Sequence, residues 1–201
     1  MEFSIKSAAP QKLSNGCVVA GVFDSRQLSA PAARLDRAAH GYLSGVVRRG
    51  DMQGKAGTTL LLRNVPGIAA ERVLLVGLGS QAQFREKQYR DAVAAAIRTL
   101  NATGTEEAEL HLTELAVGGR DPAWKAAHAA MAALDAVYRF TRMKSGSEDA
   151  QAPLARVTLI VSDVAARRRA AAGLAQGIAI AGGVSLAKDL GNLPPNVCTP
   201  S

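Results

Sequence analysis

Residues 17–23, Cys-Val-Val-Ala-Gly-Val-Phe, form seven successive positions without a charged side chain. An apolar run this short and this rich in β-branched residues reads as a strand covered on both faces. Such a strand demands helices above and below it, and the flanking segments supply helical patterns. Ser29 and Pro31 open a helix whose apolar positions Leu35, Ala39, Tyr42, Leu43 and Val46 keep the three-and-four spacing of one buried face, up to a stop at Gly50.

The alternation continues along the chain. Phe3-Ser4-Ile5-Lys6 alternates like a half-buried strand. Residues 58–65 and 72–79 read as strands joined by Pro66-Gly67 turn chemistry, a connection too short for a parallel crossover, so the pair is expected to be antiparallel. Residues 89–100 read as a helix. Residues 108–115 read as a strand with one wetter face. Asp121 caps a helix with Pro122 in its first turn and a stripe of Trp124, Ala127, Met131, Leu134 and Tyr138. After a polar loop (145–153), residues 155–162 read as the last strand. Asp163 then caps a long Ala- and Arg-rich helix ending at Gly191. This order predicts an α/β fold in three layers: a mixed, largely parallel sheet with helices on both faces. The candidate boundary is Gly191 to Pro195, where two prolines hold the chain extended. Thr199-Pro200 then reads as a helix start, one residue from the end of the sequence.

With 48% hydrophobic and 20% charged residues, the 201-residue chain can bury a core, and with 4% aromatics that core must be aliphatic. Cys17 and Cys198 do not make a disulfide framework; free thiols in a reducing cytoplasm are the expectation. The first ten residues lack an apolar signal-peptide stretch, and no run of about 18 apolar residues is read anywhere, so no membrane partner is expected. The net charge of +7 permits an anionic partner.

Candidate chemistry is sparse. Residues 76–82, Val-Gly-Leu-Gly-Ser-Gln-Ala, match the glycine spacing of a dinucleotide turn through Gly77 and Gly79. The turn follows the fourth strand rather than an early one, however, and the only acid at the end of the next strand is Glu114, so a structural turn is the preferred reading. His40, His111 and His128 sit on separate elements and form no metal-ligand spacing; they read as structural or surface residues. Glu106, Glu107 and Glu109 read as a solvated loop, and no serine-nucleophile or His-Glu-x-x-His motif is present. Basic clusters recur at Arg48-Arg49 with Lys55, at Arg85, Lys87 and Arg90, at Arg139, Arg142 and Lys144, and at Arg167 to Arg169. Arg48, Arg49 and Lys55, read as a loop following the apolar face that ends at Val46 and Val47, are the first candidates for duplex DNA contact.

Residues 187–200, Ala-Lys-Asp-Leu-Gly-Asn-Leu-Pro-Pro-Asn-Val-Cys-Thr-Pro, resemble the segment that enters the catalytic domain of leucyl aminopeptidases, the M17 metallopeptidases. Residues 1–7, 35–62, 71–79 and 112–115 resemble the bacterial branch, in register along the whole chain. The resemblance implies an N-terminal α/β domain with a macro-domain-like fold (1–165), a connecting helix (166–191) and a truncated start of the catalytic domain (192–201), so that the sequence reads as a fragment. It implies a cytoplasmic parent enzyme that removes N-terminal residues, often leucine, from peptides with two divalent metals, manganese or zinc, in a homo-hexamer. The metal and catalytic residues of the family belong to its catalytic domain; none maps onto residues 1–201, so no cofactor is expected here. Partners implied are the chain's own catalytic domain, further copies, the parent's peptide substrates and, as in some bacterial members, duplex DNA. The alternative reading is a macro-like module that binds a nucleotide or ADP-ribose.

Overall fold

The computed structural model describes residues 1–7, 16–140, 154–194 and 196–197. Six strands form one sheet: β1 (Glu2–Lys6), β2 (Cys17–Phe23), β3 (Thr59–Arg63), β4 (Arg72–Gly79), β5 (Glu107–Leu110) and β6 (Arg156–Ile160). Their order is β1-β6-β5-β2-β4-β3. Every neighbouring pair is parallel except β3 with β4, which is antiparallel as the short connection requires.

Because side chains alternate between faces of a strand, β2 feeds two cores. Val18, Ala20 and Val22 join Val73 and Leu75 of β4 beneath α1 (Ala30–Ala38) and α2 (Tyr42–Arg49). Val19, Leu74, Val76, Leu110, Val157 and Leu159 pack beneath α3 (Glu86–Ala102), α4 (Pro122–Val137) and α5 (Val164–Asn192). Helices therefore lie on both faces. On the α1/α2 side, among the described residues, they cover β2 and β4, with Leu60 and Leu62 of β3 at the margin. The row Ser4, Thr158 and Glu109, in register with Val18, carries polar side chains on the β1-β6-β5 half of that face, and Ser4 Oγ lies 2.8 Å from Thr158 Oγ1.

Four elements depart from the sequence reading. The expected single helix over 31–50 is two helices, broken where His40 and Gly41 take φ of 51° and 82°. The Asp36 carboxylate accepts bonds from the Ser44 amide (3.0 Å) and the Ser44 hydroxyl, capping the second helix, and Tyr42 turns outward rather than joining the stripe. The strand expected to run to residue 115 stops at Leu110 and tightens into a 3₁₀ turn, His111–Glu114. There the Thr113 hydroxyl donates to the carbonyl of Leu110 at 2.9 Å and to that of Ile160. The buried face of α4 is Ala126, Ala127, Ala129, Ala130 and Ala133, while Trp124, Met131, Leu134 and Tyr138 are only half buried. Alanine is needed there because α5 lies against the α4 backbone: a Cβ on Gly173 or Gly177 would overlap the carbonyl oxygens of Ala123 and Ala127.

The fourth departure is α5 itself, which is long and apolar enough by composition to cross a bilayer, contrary to the sequence reading. Its N-terminal half is committed to α4 through Ala166, Ala170, Gly173, Leu174, Gly177 and Ala181, so its apolarity there serves packing. The Asp163 carboxylate accepts a bond from the Ala166 amide at 2.8 Å; that bond first, and the Ser162 hydroxyl next, hold its carboxyl below the ordinary range. The Thr199-Pro200 helix start and the 145–153 loop fall outside the described residues.

Candidate functional site

The chain leaves β2 for the α1 face and leaves β4 and β5 for the opposite face. The crevice outside the carboxyl end of β2 is thus a topological switch point, where α/β sheets take their ligands. A cleft of about 580 Å³ occupies that place, lined by Phe23, Ser29, Phe84, Arg85, Glu114 and Gly118 among others. Phe23 and Phe84 meet edge to face at 5.9 Å. The Ser29 side chain accepts from the Ala32 amide at 3.4 Å and caps α1 at the cleft edge.

Glu114 is the acid of this cleft, and it is already engaged. Arg34 Nη2 donates to both its carboxylate oxygens at 2.6 Å, and His111 Nδ1 lies 2.8 Å from Oε2. His111 is fully buried in the 3₁₀ turn, not in a strand, and its ring orients Glu114 toward Arg34. Glu114 is therefore a structural anion tying α1 to the end of β5. It is not the free acid that a dinucleotide ribose would need.

The glycine turn is occupied as well. Gly77 N–H donates to the carbonyl of Thr58 at 2.8 Å, and Gly79 N–H donates to that of Gly54 at 2.9 Å. A Cβ at Gly77 would overlap the carbonyl of Lys55, and Gly79 has φ of 72°. The glycines admit the 54–58 segment against the end of β4, and both amides are spent on it.

Arg48 and Arg49 are the last two residues of α2, not loop residues as the sequence reading had them. Both are exposed, as is Lys55 in the segment that follows. Arg49 Nε donates to Asp51 at 3.4 Å, while among the described residues Arg48 and Lys55 have no carboxylate partner. Lys87 pairs with Asp91 at 2.7 Å, Arg90 and Arg98 line a groove beside α4 and α5, and Arg167 to Arg169 are exposed on α5. Arg139 is exposed; Arg142 and Lys144 lie outside the described residues.

Of the acidic cluster only Glu106 is an exposed residue outside the sheet. Glu107 and Glu109 belong to β5, and Glu109 is buried with Lys6 Nζ at 3.8 Å. Burial pushes its carboxyl above the ordinary range, against the lowering fields of Lys6 and His111. No sequence signal marked this residue, since its strand alternates as a wet-faced strand would. His40 is exposed at the α1–α2 break. His128 is half buried, its ring 4.0 Å from that of Trp124, and burial lowers its pKa, helped by Arg90 and Arg120. Cys17 is buried and its thiol is pushed up to about 12. Among the described residues no three His, Cys, Asp or Glu side chains are placed to hold a metal ion, so they assemble no donor set for a divalent pair.

Residues 19–147 match the model of the cytosol aminopeptidase family, N-terminal domain. The chain belongs to that family. Relatives described as probable cytosol aminopeptidases are 51% identical in Dechloromonas aromatica and 48% identical in Nitrosospira multiformis, each over the whole of this chain. The chain spans only 40% and 39% of their lengths. Among solved structures, a tomato leucine aminopeptidase mutant superposes with TM-score 0.76 at 21% identity, over all of this chain and 40% of that one. The bottromycin maturation enzyme BotP gives 0.64 at 29% identity, over 92% of this chain and 34% of its own. A Trypanosoma brucei macrodomain gives 0.61 at 13% identity over 84% of this chain and 65% of its own, a likeness of fold alone, and it fits the expected macro-like sheet. This cytosol aminopeptidase family member thus corresponds to the N-terminal two-fifths of its relatives.

Proposed function

We propose that this chain is the non-catalytic N-terminal domain of a leucyl aminopeptidase. The longer polypeptide removes N-terminal residues, leucine preferred, from peptides, using two divalent metals, manganese or zinc, in a cytoplasmic homo-hexamer. The observation that carries the reading is the match to probable cytosol aminopeptidases along every residue of this chain but only 40% of theirs. Within that polypeptide residues 1–165 form the α/β domain, 166–191 the connecting helix and 192–201 the entry to the catalytic domain. The coding sequence beyond Ser201 tests the reading directly. It is expected to continue into a metallopeptidase domain whose product, with added manganese, hydrolyses leucine p-nitroanilide; a stop codon at that point, or an inactive product, contradicts it.

The domain's own role is assembly, with duplex DNA contact through Arg48, Arg49 and Lys55. Supporting it are the net charge of +7 and the exposure of all three side chains. The competing reading, a nucleotide or ADP-ribose module, has the switch-point cleft in its favour. Against it stand the spent amides of Gly77 and Gly79 and the neutralised Glu114.

A further inference from the structure

Helix α5 changes sides. Up to Ala181 the buried residues of the helix face α4, while Ile178 and Ile180 are already exposed, and beyond Ala181 no residue of the helix is buried. Past that point the side toward α4 keeps Val184 beside Met131 and then turns polar: Lys188 pairs with Asp135 and stacks over Tyr138 at 4.9 Å, and Asp189 accepts from the Tyr138 hydroxyl at 2.8 Å. The outward side turns apolar. Ala179, Gly182, Gly183, Leu186 and Leu190 follow three-and-four spacing on the face opposite the α4 contact. Leu186 is 57% exposed and Leu190 50%.

The glycines carry the second observation. Gly173 and Gly177 have a reason to lack side chains, since the α4 backbone fills that space. Gly182 and Gly183 stand in the same helix with nothing within 4 Å of a built Cβ. Each weakens the helix relative to alanine. A pair in open space, flanked by exposed leucines, is a slot for a second backbone. Residues 170–187 also hold no charged side chain and only Gln176 and Ser185 as polar ones, the composition of a helix covered over most of its circumference.

We propose that the Ala179–Leu190 stripe is covered by the polypeptide that follows Ser201 in the longer protein, which docks an element against Gly182 and Gly183. The helix would then be a strut with one end in the core of each domain, holding the two at a fixed angle rather than tethering them loosely. The occupant is argued from length and position: the relatives continue for about three-fifths of their length beyond this chain, and α5 is the element that leads there. The proposal rests on the functional reading above only in requiring that a further domain exists.

The test compares the 201-residue chain with the longer polypeptide, both carrying Cys198→Ser, with single Ala179→Cys and Leu186→Cys variants probed by maleimide labelling. Both cysteines are expected to label readily in the short chain and at least tenfold more slowly in the long one. Gly183→Leu supplies a readout of opposite sign: it should raise the melting temperature of the short chain, where the site is open, and lower that of the long one. Equal labelling in both chains overturns the proposal. So does protection in the short chain that grows with its concentration, which assigns the stripe to a second copy, or protection of the long chain only on adding phosphatidylglycerol vesicles. A long chain that hydrolyses leucine p-nitroanilide yet labels freely refutes the docking and leaves the function standing. An inactive long chain with protected cysteines does the reverse.

Discussion

The amide of Gly77 donates to the carbonyl of Thr58 at 2.8 Å, and this bond closes the end of β4 against the segment leading into β3. A phosphate at this turn would have to displace it, together with the Gly79 to Gly54 bond at 2.9 Å. Gly77→Ala is therefore expected to destabilise the chain by roughly 1–3 kcal/mol through overlap with the carbonyl of Lys55. Titration calorimetry of the unsubstituted chain with NAD and ADP-ribose is expected to show no binding. Micromolar affinity that disappears in a Gly79 variant would restore the nucleotide reading.

Arg34 joins α1 to the end of β5 through Glu114. Arg34→Met leaves a half-buried carboxylate with only His111, at an expected cost of about 1–3 kcal/mol in urea unfolding. The double variant Arg34→Met/Glu114→Gln should recover part of that loss, because no unpaired charge remains. A double variant no more stable than Arg34→Met would show that the unpaired carboxylate is not the source of the loss.

Much of this architecture was legible in the sequence. The fully apolar β2 announced helices on both sides, and the short Pro66-Gly67 connection announced the antiparallel β3–β4 pair. The misreadings share a cause: one-dimensional spacing does not see what lies across from a residue. Leu35 and Leu43 pack against the sheet whether the helix is whole or broken, so periodicity does not show the His40–Gly41 break. The stripe assigned to α4 used its large residues, whereas the closeness of α5 reserves the buried face for alanine. At the candidate site, Gly77 and Gly79 were visible but not the carbonyls that occupy them. Glu114 was visible as an acid but not Arg34, 80 positions away, as its partner.

Glu109 is predicted to make stability fall as pH rises. Its folded carboxyl lies above the ordinary carboxylate value, so between those two values the native state binds more protons than the unfolded one, and stability drops through that window. Glu109→Gln should be more stable than the parent at neutral pH, with the difference vanishing below the ordinary carboxylate range. Thermal melts at several pH values read this out. A variant less stable at neutral pH would mean that the Lys6 contact outweighs burial.

DNA contact is predicted to be mostly independent of sequence and steeply dependent on salt. In gel shifts of the longer polypeptide at two salt concentrations, Arg48→Ala/Arg49→Ala should weaken binding and flatten the salt slope by about one to two. Unchanged binding clears these residues, and no binding by the unsubstituted protein at low salt removes the role.

As the proposed structural domain of an aminopeptidase, the 201 residues are expected to do no chemistry alone. Leucine p-nitroanilide hydrolysis by the purified 201-residue chain, with manganese or zinc added, measures this most directly. The expected rate is indistinguishable from buffer at every protein concentration; turnover that rises in proportion to pure 201-residue chain overturns the proposed role.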